Sequence, residues 1–154
     1  MDLNQLVVFS LDDQRYALDL WAVERVVRMV EITCLPKAPE IVLGVVNLQG
    51  DVIPVVNIRK RFGLPEREIN LSDALIFART ARRRLAVVAD SVSGVMHVSE
   101  ERLIDPERIT PGIEYVAGVV KLADGMILIH DLAKFFSLDE ELTLDLAVND
   151  ARSD

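Results

Sequence analysis

Short apolar runs recur along the chain at intervals of about ten residues, with turn-forming residues between them. "QLVVFSL" (5–11), "VVRMVEI" (26–32), "VIPVVNI" (52–58), "ALIFAR" (74–79), "LAVVAD" (85–90), "GVMHVS" (94–99) and "GMILIHDL" (125–132) are enriched in Val and Ile, and Gly, Pro, Asp and Asn stand between them. Branched side chains suit a pleated, half-buried surface, and no long helical period separates the runs. The pattern therefore predicts an all-β chain of antiparallel sheet or barrel rather than βαβ units. Pro54 cannot donate to a ladder, so its place inside "VIPVVNI" predicts an edge position or a bulge. Two helical segments are expected. Ser137 and Glu140 form a capping box ahead of Leu138, Leu142 and Leu146, a stripe spaced to pack a C-terminal helix on a barrel. A shorter turn is expected over "DLWAVERV" (19–26), where Leu20, Val23 and Val26 or Val27 can share a face.

The two halves of the chain resemble each other. "VLGVVNLQGDVIPVVNIRKRF" (42–62) aligns without gaps on "VAGVVKLADGMILIHDLAKFF" (116–136), with eight identities that include Gly44/Gly118, Val45/Val119, Val46/Val120, Leu48/Leu122 and Phe62/Phe136. That offset is 74 residues; upstream, "YALDLWAVERV" matches "LAVVADSVSGV" at an offset of 69. A duplicated unit of about 70 residues predicts two small barrels of five short strands each, joined by "FGLPEREINLSD" (62–73). Closed barrels remove exposed edges, and packing two together buries area neither could bury alone. The expected organisation is one domain over 1–154 with subdomain boundaries near 15–70 and 71–130. The N-terminal strand and C-terminal helix complete the packing.

Composition narrows the function. A net charge of −8 and 51% hydrophobic residues fit a folded domain and disfavour a phosphate-neutralising nucleic-acid binder. The lone Cys34 has no internal disulfide partner, and no apolar stretch approaches bilayer length, so a cytoplasmic protein with no membrane insertion is expected. Cys34 itself reads as a small buried thiol. His97 and His130 stand in unrelated places, without ligands at metal spacing, and read as surface or hydrogen-bonded core residues. Asp12–Asp13 and Glu100–Glu101 read as solvated turn acids. "RTARRR" (79–84) reads as a hairpin tip, either solvated or available to an acidic partner. No catalytic apparatus, cofactor site or metal site is visible, and the chain reads as an interaction module.

The residues also carry a resemblance. "VVFSLDDQRYALDLWAVERV" followed by "ITCLPKAPEIVLGVVNLQGDVIPVVNIRKRFGL" resembles the CheW-like domain family of chemotaxis coupling proteins. Tyr16, Asp19, Val23, Pro36, Pro39, Gly44, Val45, Asn47, Leu48, Gly50, Pro54, Val55, Arg59 and Phe62 fill that family's pattern, and "LAVVADSVSGVM" and "YVAGVVKLADGMILIHDLAKF" extend it. The resemblance implies two five-stranded SH3-like β-barrel subdomains. It implies a non-catalytic adaptor joining chemoreceptor cytoplasmic tips to the regulatory domain of the histidine kinase CheA. An alternative within the family is a diverged accessory protein that binds receptors or coupling proteins without recruiting kinase, or serves a pathway outside motility.

By the same analogy Leu20, Val23, Arg25, Leu48 and Gln49 fall near a receptor groove at the seam between barrels, with Ala74, Leu75, Leu85 and Ala86 on its second-half side. Gly44, Asn47, Gly50, Pro54 and Arg59 are expected to shape the structural turn. Two positions depart from the family pattern. Its "N-L-R-G" arginine is Gln49 here, and the glutamate of its "V-x-E" turn is displaced, with Glu24 one position early and Arg25 in its place. An acid–base pair thereby becomes Gln and Arg, which predicts altered receptor coupling.

Overall fold

A computed structural model describes residues 4–104 and 115–152. Eleven strands follow one another among them: β1 (Gln5–Leu11), β2 (Gln14–Asp19), β3 (Val23–Arg28), β4 (Val42–Leu48), β5 (Asp51–Val56), β6 (Ala74–Arg79), β7 (Arg84–Ala89), β8 (Ser91–His97), β9 (Leu103–Ile104), β10 (Val116–Leu122) and β11 (Gly125–His130). Helix α1 spans Ile58–Phe62 and α2 spans Leu138–Arg152, with 3-10 turns at Leu20–Ala22, Glu100–Arg102 and Leu132–Lys134. The mostly β expectation holds. The turn expected over 19–26 shrinks to three residues, capped by the Asp19 carboxylate accepting from the Trp21 N–H at 3.2 Å. From Val23 the chain is extended, because Val23, Val26 and Val27 are branched at Cβ and favour strand over helix.

One sheet has the order β8-β1-β2-β11-β10-β9 and the other β3-β6-β7-β5-β4. The sheets do not divide the chain at 15–70 and 71–130. The hairpin β1–β2 joins strands from residues 91–130, while β6–β7 joins strands from residues 23–56. Replacing each strand of the second sheet by its repeat partner turns β3-β6-β7-β5-β4 into β8-β1-β2-β11-β10. Register obeys the same rule: Val55 pairs with Ala86 and Ile129 with Ala17, which are repeat equivalents at offsets of 74 and 69. Each repeat thus lends its first hairpin to the other repeat's sheet.

The apolar pattern of the hairpins explains the exchange. Along β6 and β7, Leu75, Phe77 and Ala86 enter one core while Ile76, Ala78, Leu85, Val87 and Ala89 enter another. A hairpin apolar on both faces must lie between two cores. One core fills the β3–β7 barrel around Met29, Val46, Ile53 and Val55, and a second fills the other barrel around Leu6, Val8, Val120 and Ile127. The third and largest occupies the seam, from Phe9, Leu11, Tyr16 and Leu18 to Ile76, Leu85, Phe135 and Leu144. Here the seam is packed rather than cleft.

Closure of the β3–β7 barrel depends on a bridge between Thr33 and Val45, with N–H···O distances of 2.9 and 2.7 Å. Its repeat counterpart is the Ile104–Val119 pair of β9 and β10. The bridge brings backbone against Gly44, where a Cβ would lie 2.4 Å from the Thr33 oxygen at a φ of +156°. Pro54 lies in an inner strand, not at an edge; the ladder to β7 contains only Val55 and Val56, so the missing N–H falls just short of it.

Helix α2 begins with the expected capping box: Ser137 N–H donates to Glu140 at 2.8 Å and Glu140 N–H to Ser137 Oγ at 3.1 Å. Its packing face is not the leucine stripe. Leu138, Leu142 and Leu146 are 67%, 50% and 67% exposed, while Leu144 and Ala147 are buried. Ion pairs fix this rotation. Arg61 holds Glu140 at 2.6 Å, Arg83 holds Glu141 at 3.1 Å, and Arg82 and Arg83 both bind Asp145. The basic hairpin tip therefore finds its acidic partner within the chain. Leu144→Ala should cost about 2–4 kcal/mol and Leu142→Ala no more than about 0.5 kcal/mol, read by urea unfolding. Gly44→Ala should lower the melting temperature sharply, because neither the positive φ nor the bridging backbone admits a methyl group.

Candidate functional site

Two regions gather the residues singled out by sequence. The first is a junction where both sheets meet α1. Asn57 caps that short helix, its Oδ1 accepting from Lys60 N–H at 3.1 Å, and Gly63 ends it at a φ of +72°. Arg59, on the first turn, is directed inward and is buried. Its Nη2 donates to Asp12 at 3.0 Å and to both oxygens of Asp90 at 2.9 Å, and its Nη1 donates to the Pro65 carbonyl at 3.0 Å. Arg67 continues the network to Asp73, at 2.7 and 3.1 Å, and to Asp90. Asp12 lies in the β1–β2 turn and Asp90 between β7 and β8, so one guanidinium ties both sheets and the connector.

Burial alone would raise the Asp90 pKa, but the hydrogen bonds from Arg59 and Arg67 outweigh it and hold the carboxyl below its ordinary value. Tyr16, beneath the junction, is pushed up by burial and by Asp12, with Arg59 opposing. Beside the network a groove of about 410 Å³ is walled by Leu43, Ile58, Ile69 and Val88, with Arg67 and Asp73 also lining it.

The second region is the end of the β3–β7 barrel, where β3 and β5 begin and β4 and β6 end. Leu48 and Asp51 flank a two-residue turn in which Gln49 and Gly50 have φ of +54° and +90°. This left-handed pair fits a type I′ hairpin, and Asn47 Oδ1 accepts from the Gly50 N–H at 2.9 Å. Arg84 bridges strands by binding Glu24 at 2.9 Å and Asp51 at 2.7 Å, and Arg79 reaches Glu24 at 3.3 Å. These bonds, Arg84's hydrogen bond first, hold the Glu24 carboxyl low despite opposing desolvation. Around this ladder Leu20, Val23 and Leu48 are half-buried, while Arg25 and Gln49 are exposed. Trp21, absent from the sequence-derived set, stands 75% exposed on the adjoining turn.

The remaining candidates separate from this group. Ala74 lies at the opposite end of β6 and is half-buried. Leu75, Leu85 and Ala86 are fully buried and cannot line an open groove; Leu75 and Ala86 fill the barrel, and Leu85 fills the seam. Cys34 is exposed, not buried, because Leu35 takes the inward position. His97 is exposed. His130 is buried with no hydrogen-bond partner at either ring nitrogen, against the expectation of a hydrogen-bonded core residue. It occupies the repeat position of the buried Val56 and packs edge-on to Phe62 at 4.9 Å. Burial first, and then Arg61, push its pKa down to about 3, so it stays neutral near pH 7. Among the described residues no group of three or more His, Cys, Asp or Glu is placed to hold a metal ion. Arg67, Asp73 and Asp90 entered no candidate set because their partners lie 6 to 78 residues away. Asp12, expected as a solvated turn acid, pairs with Arg59, and Arg84 of the basic tip is taken up by Glu24 and Asp51.

Paired barrels that carry exposed apolar and charged end residues define a β scaffold of the protein-binding class. The CheW-like domain model matches residues 5–140, and the chain belongs to that family. Among curated relatives, the chemotaxis protein CheW of Thermotoga maritima is 32% identical over 141 residues, covering 91% of this chain and 90% of its own. That of Treponema pallidum is 31% identical over 142 residues, covering 88% and 84%. The crystal structure of the scaffolding protein TtCheW from Thermoanaerobacter tengcongensis superposes with a TM-score of 0.80 at 32% identity, covering 90% of this chain and 96% of that one. The role that goes with these relatives is that of a chemotaxis coupling adaptor.

His130 is protonated more readily in the unfolded chain, whose ordinary histidine value is 6.5, than in the folded one. Its contribution to stability is complete above pH 6.5 and declines as pH falls toward about 3, by up to about 1.4 kcal/mol per pH unit. Urea midpoints from pH 7 to 5 should fall for the native chain and flatten for His130→Phe.

Proposed function

We propose that this chain joins the cytoplasmic tips of chemoreceptors to the regulatory domain of the histidine kinase CheA. It works as a non-catalytic bridge on the cytoplasmic side of a receptor array. The observation that carries the reading is the family match across residues 5–140. No described helix is long and apolar enough to cross a membrane, which agrees with a partner-held location. Receptor contact is assigned to the barrel end bearing Leu20, Val23, Arg25, Leu48 and Gln49, where a helical receptor hairpin would lay apolar side chains against half-buried ones.

The two departures from the family pattern bear on this contact. Glu24 is engaged by Arg79 and Arg84, while Arg25 makes no ion pair among the described residues. Gln49 offers an amide where a guanidinium is usual, so attraction to receptor carboxylates is reduced. The purified chain should co-sediment with receptor tips and with the kinase regulatory domain. Capture of receptor or of another coupling protein without kinase would favour the accessory reading, and capture of none of the three would refute both. Gln49→Arg should raise receptor affinity several-fold; an unchanged or weaker interaction would remove the site assignment.

A further inference from the structure

The internal repeat gives every residue of one barrel junction a counterpart at the other. Register makes the correspondence explicit: Ser10 pairs with Arg15 as Arg79 pairs with Arg84, and Phe9 pairs with Val92 as Ala78 pairs with Val23. By these offsets Arg59 corresponds to Ala133, Asp12 to Ala81 and Asp90 to Trp21. The first junction is filled by a buried guanidinium and two carboxylates. Its counterpart has a methyl group in place of the arginine, another in place of Asp12, and an indole turned out to solvent.

The space is not taken up by repacking. A cavity of about 200 Å³ remains there, lined among others by Asp19, Arg79, Ala81, Asp131 and Ala133. Asp19 and Asp131 each accept one backbone N–H as turn caps, from Trp21 at 3.2 Å and from Ala133 at 3.1 Å. Neither makes an ion pair among the described residues. The resident cation, Arg79, is 63% exposed in its side chain and is matched by Glu24. Two half-buried carboxylates thus border a cavity of arginine side-chain size, beside an exposed tryptophan.

We propose that this second junction is a socket for an arginine side chain presented by a protein partner. The guest guanidinium stands where Arg59 stands at the first junction. It pairs with Asp19 and Asp131, and its plane or stem packs against the Trp21 ring. The first junction is closed from within and the second from without, so an otherwise symmetric scaffold becomes directional. This assignment is independent of which protein presents the arginine.

Trp21 is the only tryptophan and lies in the chain between the lining residues Asp19 and Ala22, so its fluorescence serves as the readout. The probe is the peptide acetyl-Leu-Ala-Arg-Ala-Leu-amide, compared with its citrulline counterpart, which keeps the shape and loses the charge. The arginine peptide should give a saturable change and bind about tenfold more tightly than the citrulline peptide. Asp19→Asn combined with Asp131→Asn, which keeps both caps, should abolish that preference without lowering the melting temperature. Ala133→Arg should fill the socket from inside and remove the response while the circular dichroism is unchanged. Equal responses to the two peptides, no response to either, or an arginine preference that survives the double variant would overturn the proposal.

Discussion

Neither barrel of this chain can be assembled from one repeat alone. One takes three strands from its own repeat and the other four, each borrows a hairpin, and each borrowed hairpin is apolar on both faces, so it needs a core on either side. This exchange decides where everything else lies. It makes the seam the largest core, and it places the β1–β2 and β6–β7 turns at the two junctions. It also leaves Leu20, Val23 and Leu48 half-buried at one barrel end. Barrels that each depend on a hairpin from the other repeat cannot rotate freely about a hinge, which suits a coupling adaptor.

Charge then distinguishes the symmetric halves. Arg59 joins Asp12, Asp90 and the connector at one junction, while the matching positions at the other carry Ala133, Ala81 and Trp21. Helix α2 adds asymmetry by clamping itself across the seam through Arg61, Arg82 and Arg83, which turns Leu138, Leu142 and Leu146 outward. A protein that bridges unlike partners needs unlike faces. Here duplication supplies the shared framework, and a few side chains make the faces differ.

Much of this was legible in the sequence, and the failures share a cause. The strands with continuous apolar runs, such as β1 and β6, stood out, and the duplication was visible at two offsets. The offsets also differ, by five residues, between the hairpin and the strands that follow. That reveals two separately placed modules, but nothing local says in which sheet each is placed. The leucine stripe of α2 misled because three leucines at helical spacing look like a packing face. Arginines from distant turns hold Glu140, Glu141 and Asp145, and so set the rotation instead. Leu75, Leu85 and Ala86 were expected in a groove by family analogy alone; each lies on a hairpin apolar on both faces and is buried in one of two cores. At the barrel end that carries Gln49, the turn of Gln49 and Gly50 followed from its residues; the Arg84 ladder and the Asp90 network did not, since ion pairs between distant segments leave no periodic trace.

The exchange of hairpins is most directly tested by native-state hydrogen exchange under increasing denaturant. If each barrel depends on the other's strands, the slowest amides of β1, β2, β6 and β7 should converge on one common opening free energy equal to that of global unfolding. Two separate plateaus, with the slow amides of 23–89 opening at a different free energy from those of β1, β2, β10 and β11, would mean that the barrels unfold independently. The account of exchanged hairpins would then be wrong.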